Sequence, residues 1–385
     1  MVKSYILPRH MPAIDGLRGV AILMVVLTHA CSGWLAAWSI TQDRLARPPT
    51  LNLPGWLSNI GENGVQGVTL FFVVSAFTLT LSMAHSSDLG RYALRRIARV
   101  GPGYWLAGIA YTLAAGLGPR LWAPDGVSLP DLALAAVFGS AWQGRAALAV
   151  VPGGWSISCE VAFYAALPLL LWLIQGRIWR AALLTMASCT FVQLVFRYSA
   201  THGGWHFPEY IYPGAQAPVF LFGITGALIV QRVRLPDMPS LTLSLLAFAV
   251  LALPFSPIMD GHVLRHFQFA ALATLIVSLA AARPPALLAS AVMRGIGEVS
   301  YSMYLIHFAV LAPSLAFAER LAPGDGWETL ALHFGLTAGC SFVLACLTYR
   351  WIEQPCIQWA ARWVRPAASD TIPAEKSRDA VTRGS

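Results

Sequence analysis

Two ionisable residues, Arg18 and His29, lie eleven positions apart inside the first long apolar stretch of the chain. Eleven residues make almost three turns of an α-helix, so both side chains fall on one stripe, about 16 Å apart along the axis. Charged groups at membrane depth are costly and usually face a protein interior or a wet cavity. The pair therefore indicates a membrane enzyme or carrier rather than a passive anchor.

A second polar set begins another apolar stretch, directly after Trp155. Ser156, Glu160 and Tyr164 follow at intervals of four residues and so share one helical face. A carboxylate beside an apolar run needs a partner or a proton. Two roles for Glu160 remain open at this point, a structural ion pair with an intramembrane arginine and a catalytic function.

A third set lies near the C-terminal end, where Ser300, Tyr304 and His307 are compatible with one polar stripe. A lone histidine in such a stretch is more often a hydrogen-bonded packing residue than a reactive one. The last apolar run ends at a polar boundary that contains Glu353 and stops at Pro355.

Three arginines, Arg95, Arg96 and Arg99, follow the second apolar stretch. Arg95 and Arg99 are i, i+4 neighbours on one helical face, with Arg96 adjacent. Such a cluster can reflect membrane charge bias or bind anionic lipid headgroups. It can also bind phosphate groups, as in coenzyme A, because the guanidinium fork matches phosphate oxygens.

The elements that position these residues are predicted to be membrane-spanning helices. The 385 residues are 57% hydrophobic and 11% charged, with a mean hydropathy of +0.61, whereas a soluble domain has roughly 25% charged residues. Apolar runs of about twenty residues recur along the chain, which predicts an all-α polytopic membrane protein with about ten helices in one bundle. The predicted spans are 14–37, 65–84, 101–118, 155–175, 178–197, 214–231, 239–255, 263–282, 296–317 and 328–350.

Charge bias predicts the orientation of this bundle. With ten crossings, eighteen of the 26 Lys and Arg residues fall on one side and seven on the other, with Arg18 inside the membrane. The positive-inside rule then places both termini in the cytoplasm. A crossing by the short apolar segment 131–142 would reverse this bias, so we expect a re-entrant or surface helix there. We expect the transmembrane domain to cover 1–365 and a disordered cytoplasmic tail to cover 366–385.

Other function classes are disfavoured by composition. The formal charge of +8 has a topological explanation, so no nucleic-acid partner is expected. The six cysteines lie mostly in apolar stretches without CxxC spacing, and we expect neither disulfides nor a metal site.

Together, these segments resemble the acyltransferase 3 family, membrane-bound O-acyltransferases of bacterial envelope sugars. The resemblance runs in order across nearly the whole chain. One departure is Ala76, where the family usually has Gly. The matching segments are Ile14-Asp15-Gly16-Leu17-Arg18-Gly19 through His29, Phe71-Phe72-Val73-Val74-Ser75-Ala76-Phe77, Arg95-Arg96-Ile97-Ala98-Arg99 with Pro102 and Tyr104, Trp155-Ser156-Ile157-Ser158-Cys159-Glu160 with Phe163-Tyr164, Ser300-Tyr301-Ser302-Met303-Tyr304-Leu305-Ile306-His307, and Glu353-Gln354-Pro355.

The resemblance implies a donor and a reaction. The donor would be acyl-CoA, most simply acetyl-CoA, reached from the cytoplasm as a substrate with no permanently bound cofactor. The acceptor would be a hydroxyl of a cell-envelope or exported glycan, and the enzyme would lie among the lipids of a bacterial inner membrane. Some relatives carry a further hydrolase-like domain, which we do not expect here, so we expect transfer to be completed within the membrane domain.

The resemblance also implies residue roles. His29 would be the general base or a transient acyl carrier. Arg18 would hold a CoA phosphate, the thioester region or a structural carboxylate, and Glu160 would pair with His29 or an arginine. The CoA phosphates would be bound by Arg95, Arg96 and Arg99. Supporting roles would fall to Asp15, Ser75, Trp155, Ser156, Tyr164, Tyr301, Tyr304, His307 and Glu353.

Two alternatives remain open at the level of sequence. Family relatives also acylate macrolides, lipo-oligosaccharide signals or membrane lipids, so the acceptor is not fixed. A transporter with Arg18, His29 and Glu160 lining its path would explain intramembrane charge equally well. It would not explain the arginine cluster, and no internal repeat is visible in the sequence.

Overall fold

All regular secondary structure that the computed structural model describes is helical. The structure describes residues 11–31, 54–83, 88–119, 123, 125–144, 146–202, 210–252, 262–323 and 326–363. The helices are α1 Pro12–Cys31, α2 Gly55–Asn63, α3 Gln66–Met83, α4 Leu89–Ala115, α5 Leu129–Ala136, α6 Gly154–Ile174, α7 Ile178–Thr201, α8 Pro213–Arg232, α9 Pro239–Ala247, α10 His262–Ala282, α11 Ala291–Glu298, α12 Ser300–Leu321, α13 Trp327–Thr348 and α14 Gln354–Trp363. Short π-helical turns occupy Phe248–Ala252 and Tyr349–Glu353, and a 3₁₀ turn occupies Ser140–Trp142.

Within the described residues, eight helices are long and apolar enough to cross a membrane. This composition is that of a multi-pass membrane protein. Two further predicted spans, 101–118 and 239–255, do not correspond to any of these eight helices. The span 101–118 falls largely in the 27-residue helix α4, and 239–255 falls in part in α9 and the π-helical turn after it. The count of ten crossings and the cytoplasmic placement of both termini stay predictions.

Two predictions extend beyond the described residues. The first predicted span, 14–37, corresponds to α1, which is described as far as Cys31. The predicted tail, 366–385, lies wholly outside the described residues. The division of the chain into a membrane domain and a tail therefore stays a prediction.

Two segments differ from a simple set of spans. The predicted span 296–317 is wrong at its start, because the helix is interrupted at Val299, whose φ of −95° and ψ of 8° are not helical. In the segment 131–142, α5 has only eight residues. Such a helix is about 12 Å long, so it cannot cross a bilayer, as predicted.

Helix α1 lies in the middle of the bundle, in contact with α2, α3 and α10 to α13. It begins with Pro12, which suits the first helical position, and carries Asp15 in its first turn. Gly16 and Gly19 allow its backbone to approach the segment around α11. A Cβ at Gly16 would collide with the carbonyl group of Leu288, and one at Gly19 would lie 2.7 Å from the Met293 carbonyl oxygen. Small residues allow such close packing between membrane helices.

The contact between α3 and α8 explains the departure at Ala76. Ala76 is fully buried and faces Gly223 of α8. A Cβ added at Gly223 would lie 2.6 Å from the Val73 carbonyl oxygen and 2.7 Å from the Ala76 Cβ. The glycine that allows α3 and α8 to approach closely is thus Gly223 on α8, rather than a glycine at position 76 on α3.

The segment that leads into α6 is buried although it is not regular helix. Ala146, Ala147 and the residues from Ala149 to Gly153 are all buried. Irregular backbone at membrane depth is tolerated only where protein or a wet cavity covers it. This segment therefore forms part of the protein interior from which α6 and Glu160 begin.

Candidate active site

Residues from five helices converge on one cavity. Its volume is about 80 Å³, enough for several water molecules. The lining combines apolar side chains, most of them from α3, with polar groups from all five helices. The predicted residues that line it are Arg18, Ser75, Arg96, Arg99, Ser156, Glu160, Tyr164, Tyr301 and Tyr304.

The arginine cluster divides between the cavity and the surface. Arg96 and Arg99 line the cavity, whereas Arg95 is exposed. The helix that carries them, α4, is capped by Asp88, whose carboxylate accepts a hydrogen bond from the Arg91 N–H at 2.9 Å. Because Arg96 and Arg99 line the cavity and Arg95 is exposed, the face of α4 shared by Arg96 and Arg99 is the inner one, and Arg95 does not contribute to the cavity wall.

Arg96 has a donor atom whose hydrogen bond is not made within the described residues. Its Nε atom is buried and has no hydrogen-bond partner among the described residues. Its guanidinium carbon lies 6.0 Å from the centre of the Tyr164 ring, within the range of a cation–π contact. The lining contains three guanidinium groups and one carboxylate, so the cavity carries positive charge and suits an anion.

Arg18 forms an ion pair with Asp15, which lies one helical turn earlier on α1. Its Nη1 atom lies 2.7 Å from Asp15 Oδ1, and the two side chains keep 25% and 26% of their surfaces exposed. This arrangement matches one of the three roles predicted for Arg18, the structural carboxylate. The pair leaves the rest of the guanidinium facing the cavity.

Glu160 is held by hydroxyl groups. Its Oε1 atom accepts hydrogen bonds from Ser75 Oγ and Tyr164 OH, both at 2.6 Å. Ser156 and Tyr164 line the cavity with it, so the three residues share one face as predicted. We predicted that Glu160 would pair with His29 or an arginine. Its hydrogen bonds go to these hydroxyls, because α3 packs against α6 and brings Ser75 within reach, and Arg18 interacts with the carboxylate electrostatically.

Tyr304 forms part of the cavity wall. Its hydroxyl donates to the Gly153 carbonyl oxygen at 3.0 Å and accepts from Ser156 Oγ at 2.8 Å. Gly153 has a φ of 70°, a left-handed conformation that favours glycine. A Cβ at Gly153 would lie 2.6 Å from the tyrosine hydroxyl. The positive φ and the close tyrosine hydroxyl both require glycine at position 153, immediately before α6 begins.

The two histidines meet beyond Tyr304. His29 Nδ1 and His307 Nε2 lie 3.0 Å apart, and the two rings stack with centroids 5.0 Å apart. His307 is fully buried, whereas His29 retains partial exposure. The rings of Phe308 and Tyr304 cover the pair, with Tyr304 5.8 Å from His307 between centroids. His307, which we predicted as a supporting residue with packing as the more frequent alternative, is thus the direct partner of the candidate base.

Glu353 lies behind the arginines rather than in the cavity wall. It is fully buried within the π-helical turn that follows α13, and its Oε1 atom accepts a hydrogen bond from Ser302. Its Oε2 atom has no hydrogen-bond partner among the described residues. Tyr301, which lines the cavity, donates to the Val100 carbonyl oxygen on α4.

Some site residues were not identified from sequence. Ser302 is the donor to Glu353, and Phe71 and Phe72 form the apolar wall of the cavity. All three lie inside motifs that the family resemblance covers, so motif membership was the available signal. Trp155 was expected in the site but packs edge-on against Phe72, with centroids 6.3 Å apart.

Comparison with known proteins identifies a family and several relatives of this chain. A family model described as an acyltransferase domain, that of the acyltransferase 3 family, matches residues 11–350. The acyltransferase MdmB of Streptomyces mycarofaciens is 29% identical over 97% of this chain and 98% of its own length. A Staphylococcus aureus protein named as an O-acetyltransferase is 24% identical over 90% of this chain and 57% of its own length.

The name of a third relative states the class of acceptor on which that relative acts. It is the Bacillus subtilis protein YrhL, named as a peptidoglycan O-acetyltransferase, which is 25% identical over 90% of this chain and 55% of its own length. The chain thus spans little more than half of the Staphylococcus and Bacillus relatives. No solved structure matches the chain.

Proposed function

The chain belongs to the acyltransferase 3 family and is an acyltransferase, and we propose that it transfers an acetyl group from cytoplasmic acetyl-CoA to a hydroxyl of a cell-envelope or exported glycan. The enzyme would act in the bacterial inner membrane, with both termini in the cytoplasm. A peptidoglycan O-acetyltransferase name among the relatives supports the glycan acceptor.

The observation that carries the donor assignment is the positive cavity with an unsatisfied arginine donor. Arg18, Arg96 and Arg99 line it together, and Arg96 Nε has no partner among the described residues. Phosphate oxygens accept paired N–H bonds from guanidinium groups. A cavity of about 80 Å³ admits only a slender group. The phosphates of CoA would therefore contact the arginines, its narrow pantetheine arm would occupy the cavity, and its adenosine would stay outside.

The acceptor assignment rests on the partly exposed ring of His29. In the proposed step, the hydroxyl oxygen attacks the thioester carbonyl carbon while His29 takes the hydroxyl proton. Collapse of the tetrahedral intermediate breaks the carbon–sulfur bond, forms the ester and returns the proton to the CoA thiolate. A positioned base of this kind contributes ~10²–10⁴-fold to the rate.

Transfer by the purified protein is the direct test. We expect membranes or nanodiscs that contain the full chain to release free CoA from acetyl-CoA labelled in its acetyl group, and to place the label on a glycan acceptor. A transporter would leave the thioester intact, which would overturn the proposal. The His29→Ala protein is the control, because it retains the arginine cavity but lacks the base.

The acceptor is tested separately in cells. We expect deletion of the gene to lower the mass of an envelope or exported glycan by one acetyl group for each lost ester. An unchanged glycan pool together with loss of acetyl from a small molecule or lipid would contradict the glycan assignment and leave acyl transfer in place.

A further inference from the structure

His307 has a fixed hydrogen-bonding direction. Its Nδ1 atom lies 3.2 Å from the carbonyl oxygen of Met303, one turn earlier on α12. A carbonyl oxygen can only accept, so the proton of the neutral ring must lie on Nδ1. The opposite tautomer would point a nitrogen lone pair at a carbonyl oxygen inside a buried site, where an unmade hydrogen bond is costly.

This direction passes to His29. With Nδ1 of His307 protonated, its Nε2 atom carries a lone pair and accepts across the 3.0 Å contact. His29 Nδ1 then donates, so the lone pair of His29 lies on Nε2. The His29 ring has a further backbone hydrogen bond with Val25, one turn earlier on α1, so His307 acts on a ring that its own helix also orients. Which nitrogen of a histidine is basic is set by the hydrogen bond that the other nitrogen makes.

Burial separates the roles of the two rings. His307 is fully buried, while His29 keeps part of its surface exposed. Of the two residues, His29 is therefore the one placed to meet a substrate hydroxyl. The buried ring contacts Phe308 with centroids 4.1 Å apart and Tyr304 with centroids 5.8 Å apart, so its orientation is held by packing on both sides.

We propose that His307 is a positioning residue, which uses the Met303 carbonyl oxygen to hold His29 in the tautomer whose Nε2 atom takes the acceptor proton. This inference rests on the proposed function and deepens it. The carbonyl group orients His307, and His307 orients the base, as a carboxylate orients the histidine of a Ser-His-Asp triad. No net charge is buried, because both rings are neutral before the proton is taken.

Three variants at two positions provide the kinetic test. His307→Leu removes the acceptor, and we expect kcat to fall by ~10²–10⁴-fold, the range for a misplaced or missing base, with KM for acetyl-CoA unchanged. His307→Gln places an amide oxygen near the lost Nε2, and we expect it to recover most of kcat. The matched control is His333→Leu, which removes a buried histidine that contacts Ser314 at 3.0 Å on the facing helix. We expect it to affect stability but not kcat.

Tautomers can be observed directly by ¹⁵N NMR of the ring nitrogens in the full chain labelled at histidine, with His29 assigned from its absence in the His29→Ala spectrum. We expect His29 to be protonated on Nδ1 in the wild type and to shift toward the Nε2-protonated form in His307→Leu. Protonation of His29 on Nε2 in the wild type would overturn the inference, as would full kcat in a folded His307→Leu protein.

The outcomes for this inference and for the proposed function are distinguishable. Loss of transfer in His29→Ala with full kcat in His307→Leu removes the positioning role and keeps the acyltransferase mechanism. Full transfer in His29→Ala removes the base itself. A His307→Gln protein that is as impaired as His307→Leu, although equally well folded, would contradict the role of the hydrogen-bond acceptor.

Discussion

The arginine end and the histidine end of the site are built on different physical terms. At the arginine end, charged groups keep contact with solvent, as in the pair of Arg18 and Asp15, which is about one-quarter exposed. At the histidine end, His307 is fully buried and contacts the Met303 carbonyl oxygen and the His29 ring. Burying an unpaired charge is costly, whereas a satisfied neutral pair can be buried. The first end is suited to recognising a charged ligand, and the second to fixing the position of a proton.

The largest expected effect is at the histidine end. His29→Ala should lower kcat by ~10²–10⁴-fold, the usual contribution of a general base, and leave KM for acetyl-CoA near its wild-type value. Steady-state transfer of labelled acetyl groups to the acceptor measures both constants. The protein must first be shown to fold, by its retention in the membrane fraction and its melting temperature.

The contrary outcome would be an effect of this substitution on KM rather than on kcat. A His29→Ala protein with normal kcat and a raised KM would assign the imidazole to donor binding. The two ends would then share one role, and the comparison between them would fail.

Sequence patterns gave the residues of both ends but not their pairing. The intervals of Ser156, Glu160 and Tyr164 predicted their common face, because a single helix sets that geometry. The contact of His29 with His307 joins helices that are 278 residues apart in sequence. Helical periodicity contains no information on such a contact, so the sequence predicted His307 only as a supporting residue without a named partner.

The fold was predictable to a similar depth. Apolar runs identified the long helices, because burial in a bilayer imposes length and composition. The interruption at Val299 was missed because no proline marks it, although Gly295, Gly297 and the polar Glu298 and Ser300 lie close by. The division of Arg96 from Arg95 also depended on packing, because adjacent residues on an isolated helix do not show which face the neighbours cover.

The next largest effect is expected at the arginine end. Arg96→Ala should raise KM for acetyl-CoA by ~10-fold to ~100-fold, because a hydrogen bond to a charged group contributes about 1.5–3 kcal/mol, and leave kcat nearly unchanged. Arg95→Ala is the matched control, since its side chain is exposed and lies outside the cavity wall. Equal effects of the two substitutions would show that general surface charge, rather than the cavity, attracts the donor.

A smaller effect is expected between the two ends, at Glu160. Glu160→Ala leaves the hydroxyls of Ser75 and Tyr164 without their acceptor, so we expect the free energy of unfolding to fall by about 1–3 kcal/mol. Glu160→Gln keeps an oxygen that accepts both bonds and should retain most of this stability. Denaturant unfolding of the three proteins measures the difference. If Glu160→Gln unfolds as readily as Glu160→Ala, the charge of the carboxylate, and not its hydrogen bonds, stabilises the junction.

The smallest effect is expected for Tyr304→Phe, which removes the hydroxyl between the two ends. The Gly153 carbonyl oxygen loses one donor, but Ser156 Oγ already lies 3.0 Å from the same oxygen and can replace it. We therefore expect a loss of less than about 1 kcal/mol in the free energy of unfolding, with kcat and KM close to wild type. Unfolding and transfer assays on the same preparation test this. Loss of transfer without loss of stability would place the Tyr304 hydroxyl in the chemistry itself, and the proton-handling end would then extend into the arginine-lined cavity.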